Sequence, residues 1–195
     1  MPWPTDRKHQ TRERILDSAV ELFSLRGYDR VSVAEVMRHA HLTHGAFYTH
    51  FGSKQALYAE AVTAAALKSA LARLAHDDNA PPIDIRRLLA AYLSPAHIEG
   101  EQTPCPLAFL ATDVANREAD VRNAYTRVFK RLTAMLGREI SAQDAQRREY
   151  SLALAAMMIG GVAVGRALND SALAEKLLQA CRHVGEGLLE ASHDA

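Results

Sequence analysis

The chain has 195 residues, nearly half of them hydrophobic, and its 23 basic side chains are balanced by 23 acidic ones. It is long enough to bury a real core, either in one large domain or in a small domain joined to a larger one, and its balanced charge argues against indiscriminate coating of nucleic acid. Cys105 and Cys181 are too far apart for a disulfide framework or metal-ligand spacing, which reads as a cytosolic chain. MPWPTDRKHQ at the N-terminus lacks the apolar segment of a signal peptide, and the longest apolar run, 150–165, falls short of the roughly 20 residues of a membrane span. No membrane partner is expected.

Strand signals are nearly absent, so the chain reads as all-α with about nine helices. In the first, Ile15, Ala19, Leu22 and Phe23 line one face and Gly27 stands where a C-cap ends it. Ser32 can cap a second helix that buries Val33, Val36, Met37 and Ala40. Thr43 can cap a third helix and Ser53 a fourth. The fourth runs to about His76, where DDNAPP (77–82) ends it. A fifth fits 83–93, and Pro95, Gly100, Pro104 and Pro106 punctuate the connection after it. The last four fit 107–115, 119–140, 144–168 and 171–189. The domain reading is a reader unit over 1–54 and a larger helical domain over 55–195.

A helix, a glycine break, a short helix, a tight turn and a second short helix come in the order a major-groove reader needs. The second short helix, THGAFYTHFGSK (43–54), has fitting chemistry. Gly45 and Ala46 are small enough for the backbone to approach bases. Thr43 and His44 can hydrogen-bond to phosphate or base edges, Tyr48 and His50 suit phosphate and sugar, and Lys54 offers a charge. Residues 1–54 carry eight basic against six acidic side chains and five of the nine histidines, a weak tilt in the same direction.

The run Arg12 to Phe23, then Gly27-Tyr28, then Gly45-Ala46-Phe47-Tyr48-Thr49-His50-Phe51 and Ser53-Lys54 with Leu57 resembles the TetR family of transcriptional regulators. The resemblance is specific over 11–57 and limited to layout over 80–195. It departs from the family at His41, where glycine is usual, which implies a positive φ there and, with histidine, a slightly strained but intact turn. It implies DNA contacts at Thr43, His44, Gly45, Ala46, Tyr48, His50 and Lys54, joined by Ser32, with Phe47 and Phe51 in the core. It also implies a homodimer on palindromic double-stranded operator DNA, most often a repressor released by a small effector. The dimer is expected through the last two helices, at Ala153, Met157, Gly160, Gly161, Val164, Gly165, Leu177 and Val184, where small residues on the eighth helix permit close approach.

An effector pocket is expected among Tyr92, Cys105, Phe109, Tyr125, Phe129 and Met157, which combine apolar area with two phenols and suit a mostly apolar molecule. Cys105 precedes Pro106, a residue favoured at the first helical position, so the helix dipole is expected to lower its thiol pKa. That makes an electrophile- or redox-sensing repressor the alternative reading, beside a constitutive DNA-binding protein with no effector. An enzyme is disfavoured. The chain has no phosphate-binding glycine loop, HExxH or nucleophile elbow, and no motif calls for a cofactor or metal.

Overall fold

The computed structural model describes residues 5–68, 84–99 and 105–191. Within them are ten α-helices and one 3-10 segment, and no strand. The helices are α1 (Thr5–Arg26), α2 (Val33–His39), α3 (Lys54–Lys68), α4 (Ile85–Tyr92), α5 (Pro95–Glu99), α6 (Pro106–Phe109), α7 (Ala111–Ala115), α8 (Ala119–Arg138), α9 (Asp144–Ala167) and α10 (Ser171–Ala191), with the 3-10 segment His44–Thr49 between α2 and α3. The helix end expected near His76, the 77–82 break, Gly100 and Pro104 lie outside the described residues.

Local chemistry sets the first turns. α1 ends at Gly27, whose φ of 75° is open to glycine at little cost. Ser32 and Glu35 form a reciprocal capping box at the start of α2, and the bonds from the Ser32 backbone and hydroxyl hold the Glu35 carboxyl down at about 2. At the other end of α2, His41 takes φ 55°. Its N–H donates to the Arg38 carbonyl and the Leu42 N–H to the Met37 carbonyl, which is a Schellman closure made with histidine instead of glycine. The turn is intact, and it carries the left-handed conformation expected of it.

Two expectations need correction. The third helical element is a 3-10 segment, and Thr43 makes no side-chain cap there. Its turn is closed by the backbone instead, with the Ala46 N–H donating to the Thr43 carbonyl at 3.1 Å. The stretch 107–115 breaks in two at Leu110, whose φ of −117° and ψ of 5° leave the helical range. Ser53 does cap α3, accepting from the Ala56 N–H at 3.0 Å.

Two cores result. In the first, Ile15, Phe23, Val36, Met37, Phe47, Leu57 and Tyr58 are almost wholly buried, and Leu110, Val114, Val121 and Ala124 of the larger domain complete it. The reader is therefore not packed on itself alone. In the second, α4, α8 and α9 bury Leu89, Leu93, Leu136, Leu154, Met158 and Val162. Phe109 and Tyr125 pack against both cores and join them.

The apolar run 150–165 lies inside a 24-residue helix, α9, which by length and composition alone is long enough to cross a membrane. The sequence argument from run length therefore does not hold. What the structure shows is a helix whose inner face is taken by α8 and α10.

Candidate nucleic-acid interface and effector site

Phe47 anchors the 3-10 segment. It is fully buried, stacks on Phe51 at 5.9 Å and meets the edge of Tyr48 at 5.1 Å. With Phe47 pointing inward, His44, Gly45, Tyr48 and Thr49 are exposed on the opposite side, and Tyr48, a large aromatic, is 66% exposed. The Thr43 side chain is exposed as well, and its hydroxyl has no partner among the described residues. Ala46 is half-buried. The structure thus brings Thr43, His44, Gly45 and Tyr48 onto one open surface.

Three expected contact residues are engaged elsewhere. The Ser32 hydroxyl belongs to the capping box, accepting from the Glu35 N–H and donating to its carboxylate. His50 is half-buried with an unpaired Nδ1, and burial, followed by the charges of Lys8 and Arg12, pushes its pKa down, away from a phosphate-binding cation. The Lys54 ammonium donates to the Tyr28 carbonyl at 2.6 Å and stands 3.9 Å over the Tyr28 ring. Burial lowers its pKa too. The charge expected to meet a phosphate is committed to the fold.

Tyr28 is the centre of a junction between reader and larger domain. On its ring lie Lys54 and Arg117, the latter 4.5 Å from the ring centre. Arg117 donates to both oxygens of Asp29, at 3.1 and 2.6 Å, and to Asp113 at 2.9 Å. These bonds, the Asp29 bond foremost, push its already high pKa further up. The buried Tyr58 hydroxyl donates to the other Asp113 oxygen in a short contact, and Gln55 reaches Glu118 at 2.9 Å. Burial, then the Asp113 bond, raises the Tyr58 pKa, so it remains a donor. Tyr28, Asp29, Gln55 and Tyr58 thus grip the segment Asp113–Glu118, with Lys54 held on Tyr28.

The expected pocket residues converge in part. Tyr92 and Cys105 are adjacent and buried, Tyr125 donates to the Leu107 carbonyl at 2.7 Å, and Phe109, Phe129 and Met157 border the same core. The Tyr92 hydroxyl is buried without a well-formed hydrogen bond. His97 joins the group: its Nδ1 lies 2.7 Å from the Tyr92 carbonyl, and its ring meets Tyr92 edge-on at 4.5 Å and stacks on Phe109 at 5.8 Å.

For Cys105 the sequence argument is overturned. Pro106 does start α6, but α6 has four residues and the thiol is buried. Burial pushes its pKa up, and the opposing help from the Tyr92 hydroxyl and the N–H groups of Leu107 and Ala108 is smaller. Brief alkylation at neutral pH should therefore spare Cys105 and reach the half-buried Cys181 first. Mass spectrometry of the alkylated peptides checks this, and preferential labelling of Cys105 would contradict it.

On the last two helices the expected interface residues divide. Ala153, Val164 and Val184 are exposed, and Leu177 and Gly160 are half-buried on the same outer face. A Cβ at Gly160 would meet nothing within 4 Å. Gly161, Gly165 and Met157 instead face inward. A Cβ at Gly161 would lie 3.0 Å from Leu93 and 3.1 Å from Cys181, one at Gly165 3.5 Å from Ile98, and the Met157 methyl lies against Gly185. The room these two glycines leave is filled by the chain's own α4–α5 and α10.

Residues 15–61 match the family model described as bacterial regulatory proteins, tetR family. The A-factor receptor protein of Streptomyces griseus is 43% identical over 51 residues, covering 26% of this chain and 18% of the receptor. The HTH-type transcriptional regulator LmrA of Bacillus subtilis is 26% identical over 173 residues, covering 83% of this chain and 89% of LmrA. The crystal structure of the reduced form of E. coli NemR superimposes with a TM-score of 0.73 at 20% identity, over 92% of this chain and 96% of NemR, a likeness of fold. The chain carries, over residues 15–61, the DNA-binding unit of the TetR family. It spans less than a fifth of the length of the A-factor receptor, so the family shows through the helix-turn-helix unit above all.

The residues that sequence reasoning missed lie at the junction and beside Tyr92. Asp113 and Glu118 read as two helix ends flanking a loop, yet Asp113 and Arg117 are four residues apart and pair across one turn. That i, i+4 spacing was the available signal. His97 carried no partner spacing in sequence, because its partners are aromatic rings and a carbonyl brought in by the fold.

Proposed function

We propose that the chain is a DNA-binding transcriptional repressor that reads a palindromic operator as a homodimer and is released by a small effector bound between α4, α6, α8 and α9. The observation that carries the DNA reading is the 3-10 segment. Phe47 pins it to the core while Thr43, His44, Gly45 and Tyr48 are presented together, with no fold-internal role for Gly45. The N-terminus of α3 supplies backbone N–H groups to a phosphate, in place of the committed Lys54 ammonium. Binding of an unbiased duplex library followed by enrichment tests this reading.

Homodimerisation is supported by the outer face of α9 and α10. Leu152, Val164, Leu173 and Val184 are each about half exposed there, four of the seven large hydrophobics exposed among the described residues. Large apolar side chains left exposed on two adjacent long helices suit a partner helix pair. A two-fold dimer would place two reading segments on successive major-groove faces, roughly 34–36 Å apart.

Coupling is supported by continuity. Phe109 and Tyr125 line the effector region and also pack on the reader's core, and the Asp113–Arg117 turn directly after α6 is held by Tyr28, Asp29 and Tyr58. An effector that shifts Phe109 moves the turn that grips the reader, and differential affinity for the two positions is what changes DNA affinity. Tyr58→Phe should cost about 1.5–3 kcal/mol, because a buried hydrogen bond to a carboxylate is lost. In an Asp113→Asn background the same change should cost less. A urea-denaturation double-mutant cycle measures the difference, and equal costs in both backgrounds would deny the coupling. For the sensor alternative, a buried thiol with a raised pKa is the wrong chemistry, so the ligand reading is preferred.

A further inference from the structure

Arg166, near the end of α9, is one of several arginines with no acidic partner among the described residues, and of these it is the one that lies over an aromatic ring. Arg12, Arg26, Arg117 and Arg147 each hold a carboxylate, whereas Arg166 has no acidic partner among the described residues. Its guanidinium instead stands 3.4 Å over the centre of the Phe109 ring. Phe109 also stacks on His97, whose ring meets Tyr92, whose buried hydroxyl makes no well-formed hydrogen bond and has the Cys105 thiol beside it. A continuous strip, Arg166–Phe109–His97–Tyr92, therefore runs from a partly desolvated cation into the second core.

Along that strip the polar atoms left open are of defined kinds. The Tyr92 carbonyl can only accept, so His97 Nδ1 carries the hydrogen between them and Nε2 is an acceptor without a partner among the described residues. Tyr125 is not available, since its hydroxyl already donates to Leu107. The Tyr92 hydroxyl stays protonated because burial pushes its pKa well up. A buried hydroxyl whose neighbour is a thiol, a weak hydrogen-bonding group, gains from a better polar partner in a bound ligand. Guanidinium matches carboxylate in shape and charge, and a ligand that draws Arg166 off the Phe109 ring frees that ring's face for an apolar or aromatic body.

We infer that the effector is a small carboxylic acid with an apolar body, its carboxylate held by Arg166 and its body lying along Phe109 and His97 toward the Tyr92 hydroxyl. This rests on the reading of the larger domain as an effector domain. It goes further by assigning Arg166 and His97, neither of which stood among the expected pocket residues, and by fixing the charge of the ligand. Because Phe109 packs on both cores, a carboxylate drawing Arg166 off its ring acts at the point where the two cores meet.

The test uses two matched series, 3-phenylpropanoate and octanoate, each beside its methyl ester and its primary amine, titrated calorimetrically into the full chain. The acids should bind at least about tenfold tighter than the esters, and the amines weakest. Arg166→Met should erase the preference for acid over ester, Arg166→Lys should keep part of it, and Tyr92→Phe should weaken acid and ester alike. Arg166 is solvent-accessible, so these variants are expected to fold, which thermal unfolding verifies. Esters or amines binding as well as the acids, or an Arg166→Met chain that keeps its preference, would overturn the inference. If no acid binds while some neutral compound from a broad library loosens operator DNA, the carboxylate assignment falls and the effector domain stands. If no compound of any class binds, both fall.

Discussion

Replacing Gly45 with leucine should leave the protein as stable as before and abolish operator binding. Gly45 is exposed, its φ is not in the left-handed region, and a Cβ built there would meet nothing within 4 Å. The fold makes no demand for glycine at this position, and a leucine there gains a few tenths of a kcal/mol of helical propensity if anything. Beside it stand Thr43, His44 and Tyr48 on the same open surface. On the proposed reading, glycine lets a groove wall come close to the backbone at this position. A leucine side chain there holds the segment off the bases, and the loss should be at least about tenfold in affinity, or about 1.4 kcal/mol. Thermal unfolding and fluorescence anisotropy on the same preparation check the two halves. Loss of stability, or unchanged DNA affinity, would remove Gly45 from the interface.

Adjacent glycines on α9 should respond in opposite ways. Gly161→Leu pushes a branched side chain into Leu93 and Cys181, already at 3.0 and 3.1 Å from the position of a Cβ, and should destabilise the monomer by about 1–3 kcal/mol. Helix propensity returns up to about 1 kcal/mol for replacing glycine, so Gly161→Ala should be close to neutral and the full cost should appear only with the larger residue. Gly160→Leu meets open space, should leave monomer stability unchanged or slightly raised, and should alter self-association, since it adds bulk to the face that carries Leu152, Val164, Leu173 and Val184. Denaturation and sedimentation equilibrium together separate the two. A Gly161→Leu chain of normal stability with weakened association would return Gly161 to the interface assigned to it from sequence.

Features that depend on near neighbours could be read from the sequence. The cap at Ser32 and the C-cap at Gly27 are set by spacing within one turn, while the left-handed turn at His41 and the inward Phe47 came through the family resemblance. Direction around a helix was harder. Gly160 and Gly161 differ by one position, or about 100° of rotation, and only the placement of Leu93 and Cys181 tells inside from outside. Electrostatics was hardest, because pKa depends on burial that spacing does not reveal. Cys105 has the expected proline after it and the expected N–H donors, yet desolvation outweighs them. Lys54 likewise looked free for a phosphate, while Tyr28, 26 residues earlier in the chain, had claimed its ammonium.

The most direct test of DNA reading by a two-fold dimer is selection of binding sites from a random duplex library with the purified full chain, then competition at several salt concentrations. Enrichment of an inverted repeat, with half-site centres about 10 base pairs or a multiple apart, is the expected result, and His44→Ala should change the preferred bases within each half-site. Binding that falls with salt but enriches no motif, or a motif with a single half-site and no symmetry, would contradict it.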